Sequence, residues 1–309
     1  MSVIEQAAKR LEELRRAGFE TPDDSGQDAD RDHAHNAGET ATLFVTPRTP
    51  AALASGPASN SSKAAAFPPA EVDLNLAKLA VDGFVTPDMP RSRIADEFRI
   101  VKRPLIANAS AKRAFPIRNG NLIMVTSAVP GEGKTFSAIN LAMSIAMELD
   151  QTVLLVDADV ARPSLPRVLG LPAGKGLLDA LQNKSFDIGQ ALLRTNVEKL
   201  SILTSGTQHA QATELLASDA MVRLLDEMAA RYPDRIIIFD SPPLLVTTES
   251  RALATHMGQI VFIVKAETTL QSEVKRALAT IEACPIKMIL LNQARTVAQG
   301  AYGYGYGYN

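Results

Sequence analysis

The chain has one cysteine, Cys284, and no tryptophan in 309 residues. A single thiol makes neither an internal disulfide nor a structural zinc site, so nothing calls for an oxidising compartment. No stretch approaches about 18 consecutive apolar residues, the minimum for a membrane span, and the opening MSVIEQAAKRLEELRRAG is too charged for the apolar core of an export signal. A cytoplasmic protein is expected. Excess positive charge is also missing, with 32 Lys and Arg against 34 Asp and Glu. That near-balance excludes a global basic field for nucleic acid or an anionic membrane. His33, His35, His209 and His256 fall at no metal-ligand spacing, and Cys284 reads as a small buried residue. What remains is enough chain for one α/β core of ordinary size, with about a hundred residues to spare.

Composition divides the chain. Residues 51–70 contain eight Ala, four Ser and three Pro, and residues 23–40 are mostly polar, so neither stretch buries enough apolar surface to offset its ordering. Residues 19–90 therefore read as a largely disordered linker. Two short segments flank or interrupt it. Residues 1–18 place Ile4, Ala7, Ala8, Leu11 and Leu14 on one helical face, and residues 71–82 carry Val72, Leu74, Leu76, Leu79 and Val81. Each is too short to be stable alone, so each either packs on the globular part or docks to a partner. A Phe-x-Thr-Pro element recurs at Phe19, Phe44 and Phe84, with no function assigned to it.

From about Asn121 short β-branched runs alternate with helix-length amphipathic stretches, which predicts a mostly parallel sheet with helices on both faces. The strands are expected at Leu122–Thr126, Thr152–Val156, Leu200–Thr204, Arg235–Phe239, Gln259–Val264 and Lys287–Leu291. Helices are expected over Lys134–Glu148, Ala212–Arg231 and Leu270–Ala283.

Three strand ends carry chemistry. The first strand runs into Ser127-Ala128-Val129-Pro130-Gly131-Glu132-Gly133-Lys134-Thr135-Phe136, the strand, loop and helix context of a phosphate-binding loop. Its glycines let backbone N–H groups turn inward, the helix N-terminus adds its dipole, Lys134 reaches β- and γ-phosphate oxygens, and Thr135 suits Mg²⁺. Ala128 stands where the usual pattern has glycine. The second strand ends in Asp157-Ala158-Asp159, with Arg162 following, and the third ends in Asp240-Ser241-Pro242-Pro243. Carboxylates at the carboxyl ends of such strands face the ligand crevice. They suit Mg²⁺ ligation and acceptance of a proton from an attacking hydroxyl.

These three segments, in this order, resemble the Walker A, Walker A′ and Walker B motifs of the bacterial tyrosine kinases of polysaccharide export, over about residues 91–309. Walker A′ departs in one place, because Ala161 stands where the family commonly has arginine and Arg162 comes next. The resemblance extends to stand-alone tyrosine autokinases of exosortase and exopolysaccharide loci. It implies a P-loop NTPase fold of the MinD/ParA-like type and a kinase domain over residues 91–292. It implies ATP and Mg²⁺ as cofactors, bound by residues 130–136 with Asn292 at the adenine and with Thr135, Asp157 and Asp240 at the metal. Lys134, Asp157, Asp159 and Asp240 become the catalytic set, with either Asp157 or Asp159 as the base.

The family's oligomerisation motif has its counterpart in Asp96-x-x-Arg99-x-x-Lys102, with charge kept at all three positions. Residues 293–309 form a tail that holds Tyr302, Tyr304, Tyr306 and Tyr308, four of the chain's five tyrosines, separated by glycines. The resemblance makes them autophosphorylation sites. It also implies a ring-like homo-oligomer, an activating inner-membrane polysaccharide chain-length protein, a tyrosine phosphatase as counterpart, and a peripheral membrane location through the partner. The alternative is a MinD/ParA-type ATPase acting as a positioning switch. Such proteins typically have a signature lysine where this chain has Val129, and they lack a tyrosine tail.

Overall fold

A computed structural model describes residues 70–110, 116–183, 185–232 and 234–295. The expected 1–18 helix, most of the linker and the tyrosine tail lie outside the described residues. Eight strands form one sheet: β1 (Ala70–Val72), β2 (Leu122–Ser127), β3 (Thr152–Asp157), β4 (Leu193–Thr195), β5 (Leu200–Leu203), β6 (Arg235–Asp240), β7 (Gln259–Lys265) and β8 (Ile286–Asn292). Their spatial order is β1-β4-β5-β3-β6-β2-β7-β8. Every pairing is parallel except β4 with β5. The six expected strands are all present.

Side chains alternate across each strand, so the central strands, apolar at nearly every position, feed two cores. On one face Leu122 and Met124 of β2, Leu154 of β3 and Ile237 and Phe239 of β6 pack together. Helices α5 (Leu177–Gln182), α6 (Ala212–Leu216), α7 (Asp219–Arg231), α8 (Glu249–Ala254) and α9 (Gln271–Ala279) contribute Leu178, Leu216, Leu225, Leu253 and Ala277 to it. On the other face Ile123, Val125, Val153, Leu155 and Ile238 meet α1 (Leu76–Val81), α2 (Arg93–Ala109), α3 (Lys134–Ala146) and α4 (Leu165–Leu169). Leu74, Leu79 and Val85 join this second core, while Val81 is exposed. The segment before Arg91 therefore shares its packing.

Two helices differ from the periodicity. One helix was expected over Ala212–Arg231, but the chain breaks at Ser218, whose hydroxyl donates to the Leu215 carbonyl at 2.7 Å. A serine that satisfies a carbonyl at a helix end favours a stop and a fresh start. The second difference concerns α2. Asp96 and Arg99 pair with each other on its exposed side. Lys102, expected to share that charged surface, turns inward: its Nζ lies 2.9 Å from Glu148 Oε1 and donates to the Ser144 carbonyl at 2.5 Å. The reason is periodic, because Ala95, Phe98, Lys102 and Leu105 form the buried stripe of α2.

Lys102 thereby places a cation over the C-terminal end of α3, where helix carbonyls carry partial negative charge. Lys199 adds a second, donating to the carbonyls of Glu148 and Leu149 at 3.0 and 3.1 Å. The hydrogen bond from Lys102 holds Glu148 below the usual carboxylate range, against the opposing effect of burial. A depressed carboxyl contributes stability above its unfolded pKa and loses it as pH falls. Lys102→Ala is expected to lower urea stability by about 2 kcal/mol at pH 7 through the lost pair and helix-end contact. The deficit should shrink below about pH 4 as Glu148 protonates. An equal deficit at pH 3 and pH 7 would contradict this electrostatic account.

Candidate active site

Parallel pairing in the order β3-β6-β2 brings all three chemical strand ends to one edge of the sheet. Val125 of β2 stands opposite Asp240 of β6, and Asp157 of β3 stands opposite the same Asp240. Beyond β2 the chain turns through Ala128–Gly133 and enters α3 at Lys134. Gly131 and Gly133 have φ of 82° and 94°, the left-handed region that favours glycine. Gly133 has a second reason to lack a side chain, because a Cβ there would lie 2.0 Å from Asn292 Nδ2. Gly133 caps α3 with no side chain, so the first N–H groups of the helix remain available to an anion. Lys134, the first residue of α3, is buried.

Thr135 donates its hydroxyl to Asp240 Oδ2 at 2.6 Å, and Ser164 Oγ lies 2.8 Å from the same hydroxyl. Asp157 Oδ2 accepts the Leu165 N–H at 3.2 Å. The other oxygens, Asp157 Oδ1 and Asp240 Oδ1, are buried without a hydrogen-bond partner. Orphaned carboxylate oxygens are rare in folded proteins because they forfeit solvation without compensation. Burial first, then the neighbouring Asp240 charge, pushes Asp157 up to about 8. Burial pushes Asp240 to about 7 despite the opposing Thr135 hydrogen bond and Lys134 charge. Asp159 is also raised, chiefly by burial, and its Oδ1 accepts the Arg162 N–H at 3.2 Å.

Two anionic oxygens beside a threonine hydroxyl are a donor set for a hard divalent cation such as Mg²⁺. Among the described residues no group of three His, Cys, Asp or Glu could hold a metal. An ion here would complete its shell with water and phosphate, as Mg²⁺ commonly does. The residues present fit it.

Of the remaining expected residues, Phe136 stacks against Phe84 with ring centroids 4.9 Å apart, and Arg162 is exposed. Asn292 ends β8 above the loop, where its amide donates to the Glu132 carbonyl at 2.8 Å. Tyr302, Tyr304, Tyr306 and Tyr308 lie outside the described residues. One functional feature is invisible in sequence. The Glu132 carboxylate is buried and bonded to Val129 N–H and to Thr269, a residue 137 positions away. No local pattern could have paired them.

The carboxyl pair has a pH signature. A carboxyl raised on folding binds its proton over a window where the unfolded chain has lost it, so stability falls as pH rises through that window. For the metal-free protein the window runs from about pH 4 to about pH 8. Asp157→Asn is therefore expected to match the metal-free wild type near pH 4 and to exceed its Tm by about 5 °C at pH 8, the shift for roughly 2 kcal/mol in a domain of this size. Scanning calorimetry without Mg²⁺ checks this, and a variant less stable than wild type at pH 8 would contradict it.

Comparison with known proteins gives this geometry a family. Residues 120–289 match a family described as an AAA domain. The chain is 32% identical over 217 residues to the tyrosine-protein kinase YwqD of Bacillus subtilis (strain 168), a match covering 70% of this chain and 87% of YwqD. The crystal structure of the chimerical protein CapA2B2 aligns with a TM-score of 0.59 at 28% identity, covering 74% of this chain and 94% of that one. The kinase domain of the Escherichia coli tyrosine kinase ETK shares the fold, with a TM-score of 0.56 at 24% identity over 72% of this chain and 84% of that one. A phosphate loop, two acidic strand ends on adjacent strands and this similarity lead to one conclusion: the chain belongs to the bacterial tyrosine-protein kinases, within the AAA-domain class.

Proposed function

We propose that this kinase is an autokinase that transfers phosphate from ATP to Tyr302, Tyr304, Tyr306 and Tyr308 of a neighbouring subunit, and thereby regulates exopolysaccharide polymerisation or export. The observation that supports it best is the convergence of Lys134, Thr135, Asp157 and Asp240 on one edge of the sheet, with two carboxylate oxygens unpartnered. Mg²⁺, when bound, would supply neutralisation of phosphate charge, a large part of what phosphoryl transfer asks of a site. Thr135 and Asp240 would hold the ion, with Asp157 assisting directly or through water, and the loop N–H groups would orient the phosphates. Lys134 offsets negative charge that grows on the transferred group. The phenol proton goes to Asp157 or Asp159. Exposure favours Asp159, which is half-buried, whereas Asp157 is fully enclosed.

The acceptor comes from the tail. From Gln293 to Asn309 an extended chain spans at most on the order of 55 Å, so reach permits either its own site or a neighbour's. Resemblance to the exopolysaccharide autokinases favours the neighbour, and so does the free outer side of α2, where Asp96 and Arg99 lie beside exposed Ile100. We place the ring contact there, without Lys102. Each phosphate adds about 1.5 to 2 negative charges to a tail that docks beside acidic metal ligands, so repulsion favours release and disassembly. The same resemblance supports a membrane chain-length protein as activator and a tyrosine phosphatase that resets the tail. Among the described residues no helix is long and apolar enough to cross a membrane. The relatives named as kinases favour this reading over a positioning ATPase.

Two outcomes follow. Lys134→Met should fold normally and lose phosphorylation by at least about a hundredfold, because a lost electrostatic contact to the transferred group costs that much or more; near-normal turnover would contradict the assignment. Lys134→Met protein mixed with a kinase whose four terminal tyrosines are Phe should gain phosphate on its own tail, read by mass spectrometry. A tail left bare would exclude transfer between subunits.

A further inference from the structure

Glu132 sits where a negative charge is least welcome. A carboxylate beside a phosphate site repels the ligand, yet this side chain is almost wholly buried at the loop. Its bonds explain its presence. Oε2 accepts the Val129 N–H at 2.7 Å, closing a turn over Val129–Glu132 at the start of the loop. Oε1 accepts the hydroxyl of Thr269, and that hydroxyl in turn accepts the Lys265 N–H at 3.1 Å from the end of β7. The carbonyl of Glu132 takes the Asn292 amide from the end of β8 at 2.8 Å, and the Asn292 carbonyl takes the Ala266 N–H at 2.9 Å. Both carboxylate oxygens and the backbone oxygen of one loop residue are therefore anchored, two of the three to elements far away in sequence.

We infer that Glu132 and Thr269 are positioning residues, which together latch the phosphate-binding loop in its ligand-ready turn and tie it to the ends of β7 and β8. A loop held in shape before the ligand arrives loses less conformational freedom on binding, so the latch acts on nucleotide affinity. The inference rests on the reading of the loop as a nucleotide site and not on the identity of the phosphate acceptor. Both carboxylate oxygens of Glu132 are already engaged within the protein, with Val129 and Thr269. Thr269 belongs to neither the loop nor the acidic strand ends, so in Thr269→Val turnover at saturating ATP stays close to that of the unaltered chain while KM for ATP rises. The tail begins at Gln293, directly after Asn292, so the latch also joins the loop to the root of the tail.

Calorimetric titration of the full chain with MgADP tests this independently of kinase activity. Glu132→Gln keeps the shape but replaces one accepting oxygen with an amide, so one of its two donors loses its partner. Thr269→Val removes the hydroxyl and Thr269→Ser keeps it. We expect about tenfold weaker MgADP binding for Glu132→Gln and for Thr269→Val, binding within twofold of the unaltered chain for Thr269→Ser, and a double variant no weaker than the worse single one. Hydrogen exchange at Val129 N–H in nucleotide-free protein should be slow in the unaltered chain and faster in Glu132→Gln. Singles within twofold of the unaltered chain, a fully additive loss of about a hundredfold, or a serine variant as weak as the valine one would each overturn the latch. If Glu132→Gln fails to fold, the valine and serine variants at half-buried Thr269 decide the question through the same titration and the exchange at Val129. Tight, latch-dependent MgADP binding in a chain that phosphorylates no tyrosine would sink the autokinase reading and leave the latch standing. Absence of MgADP binding by the unaltered chain would overturn both.

Discussion

The nucleotide end of this protein depends on two carboxyl groups forced to be neighbours. Asp157 and Asp240 face each other in register across β3 and β6, buried, with one oxygen apiece unpartnered. Two carboxyl groups on neighbouring strands in a poorly solvated site oppose each other's ionisation, and burial adds to the penalty. The rest of the site is arranged around that constraint. Thr135 and Leu165 each satisfy one of the remaining oxygens, Lys134 supplies a fixed positive charge nearby, and the α3 N-terminus leaves its N–H groups open. An unpartnered buried oxygen on each carboxyl costs stability without a ligand and, on the proposed function, suits the pair to a divalent ion. Local instability of this kind is common where binding or chemistry occurs.

The two faces of the sheet divide the remaining work. On one, α2 clamps α3 through Phe98, Lys102 and Leu105, and Lys102 reaches the far end of the helix whose near end is the proposed phosphate site. The outer side of α2 keeps Asp96, Arg99 and Ile100 in solvent. One helix therefore carries the proposed subunit contact on one side and holds α3, the helix of the proposed phosphate site, on the other. At the opposite end of α3, Glu132 and Asn292 fix the loop to β7 and β8, so the helix is held at both termini.

Much of this was legible in the chain. Six strands are marked by β-branched runs, and the acidic residues that end β3 and β6 point to the crevice from sequence alone. The short strands Ala70–Val72 and Leu193–Thr195 did not, because three residues carry no period. The antiparallel β4 depends on pairing with β5, which no local pattern encodes. Lys102 departs from the charged surface that its spacing from Asp96 and Arg99 suggests, because Ala95, Phe98 and Leu105 at helical intervals put position 102 on the buried side. The bond from the Asn292 amide to the Glu132 carbonyl, 160 positions apart, is likewise beyond any local pattern. Orphaned oxygens and the Glu132 to Thr269 contact arise only from three-dimensional proximity.

The dependence on the carboxyl pair is open to direct measurement through protons. With Asp157 raised to about 8 and Asp240 to about 7, the pair in the empty protein still holds protons at pH 7. A bound Mg²⁺ must displace them, since metal ligation requires the carboxylate form. Titrating the protein with MgADP at pH 7 in two buffers of different ionisation enthalpy counts the protons released. The account predicts release of roughly one proton per site, abolished or sharply reduced in Asp157→Asn. Binding with no proton release, or the same release in Asp157→Asn, would show that the pair is already ionised and that the constraint placed at the centre of this site is absent.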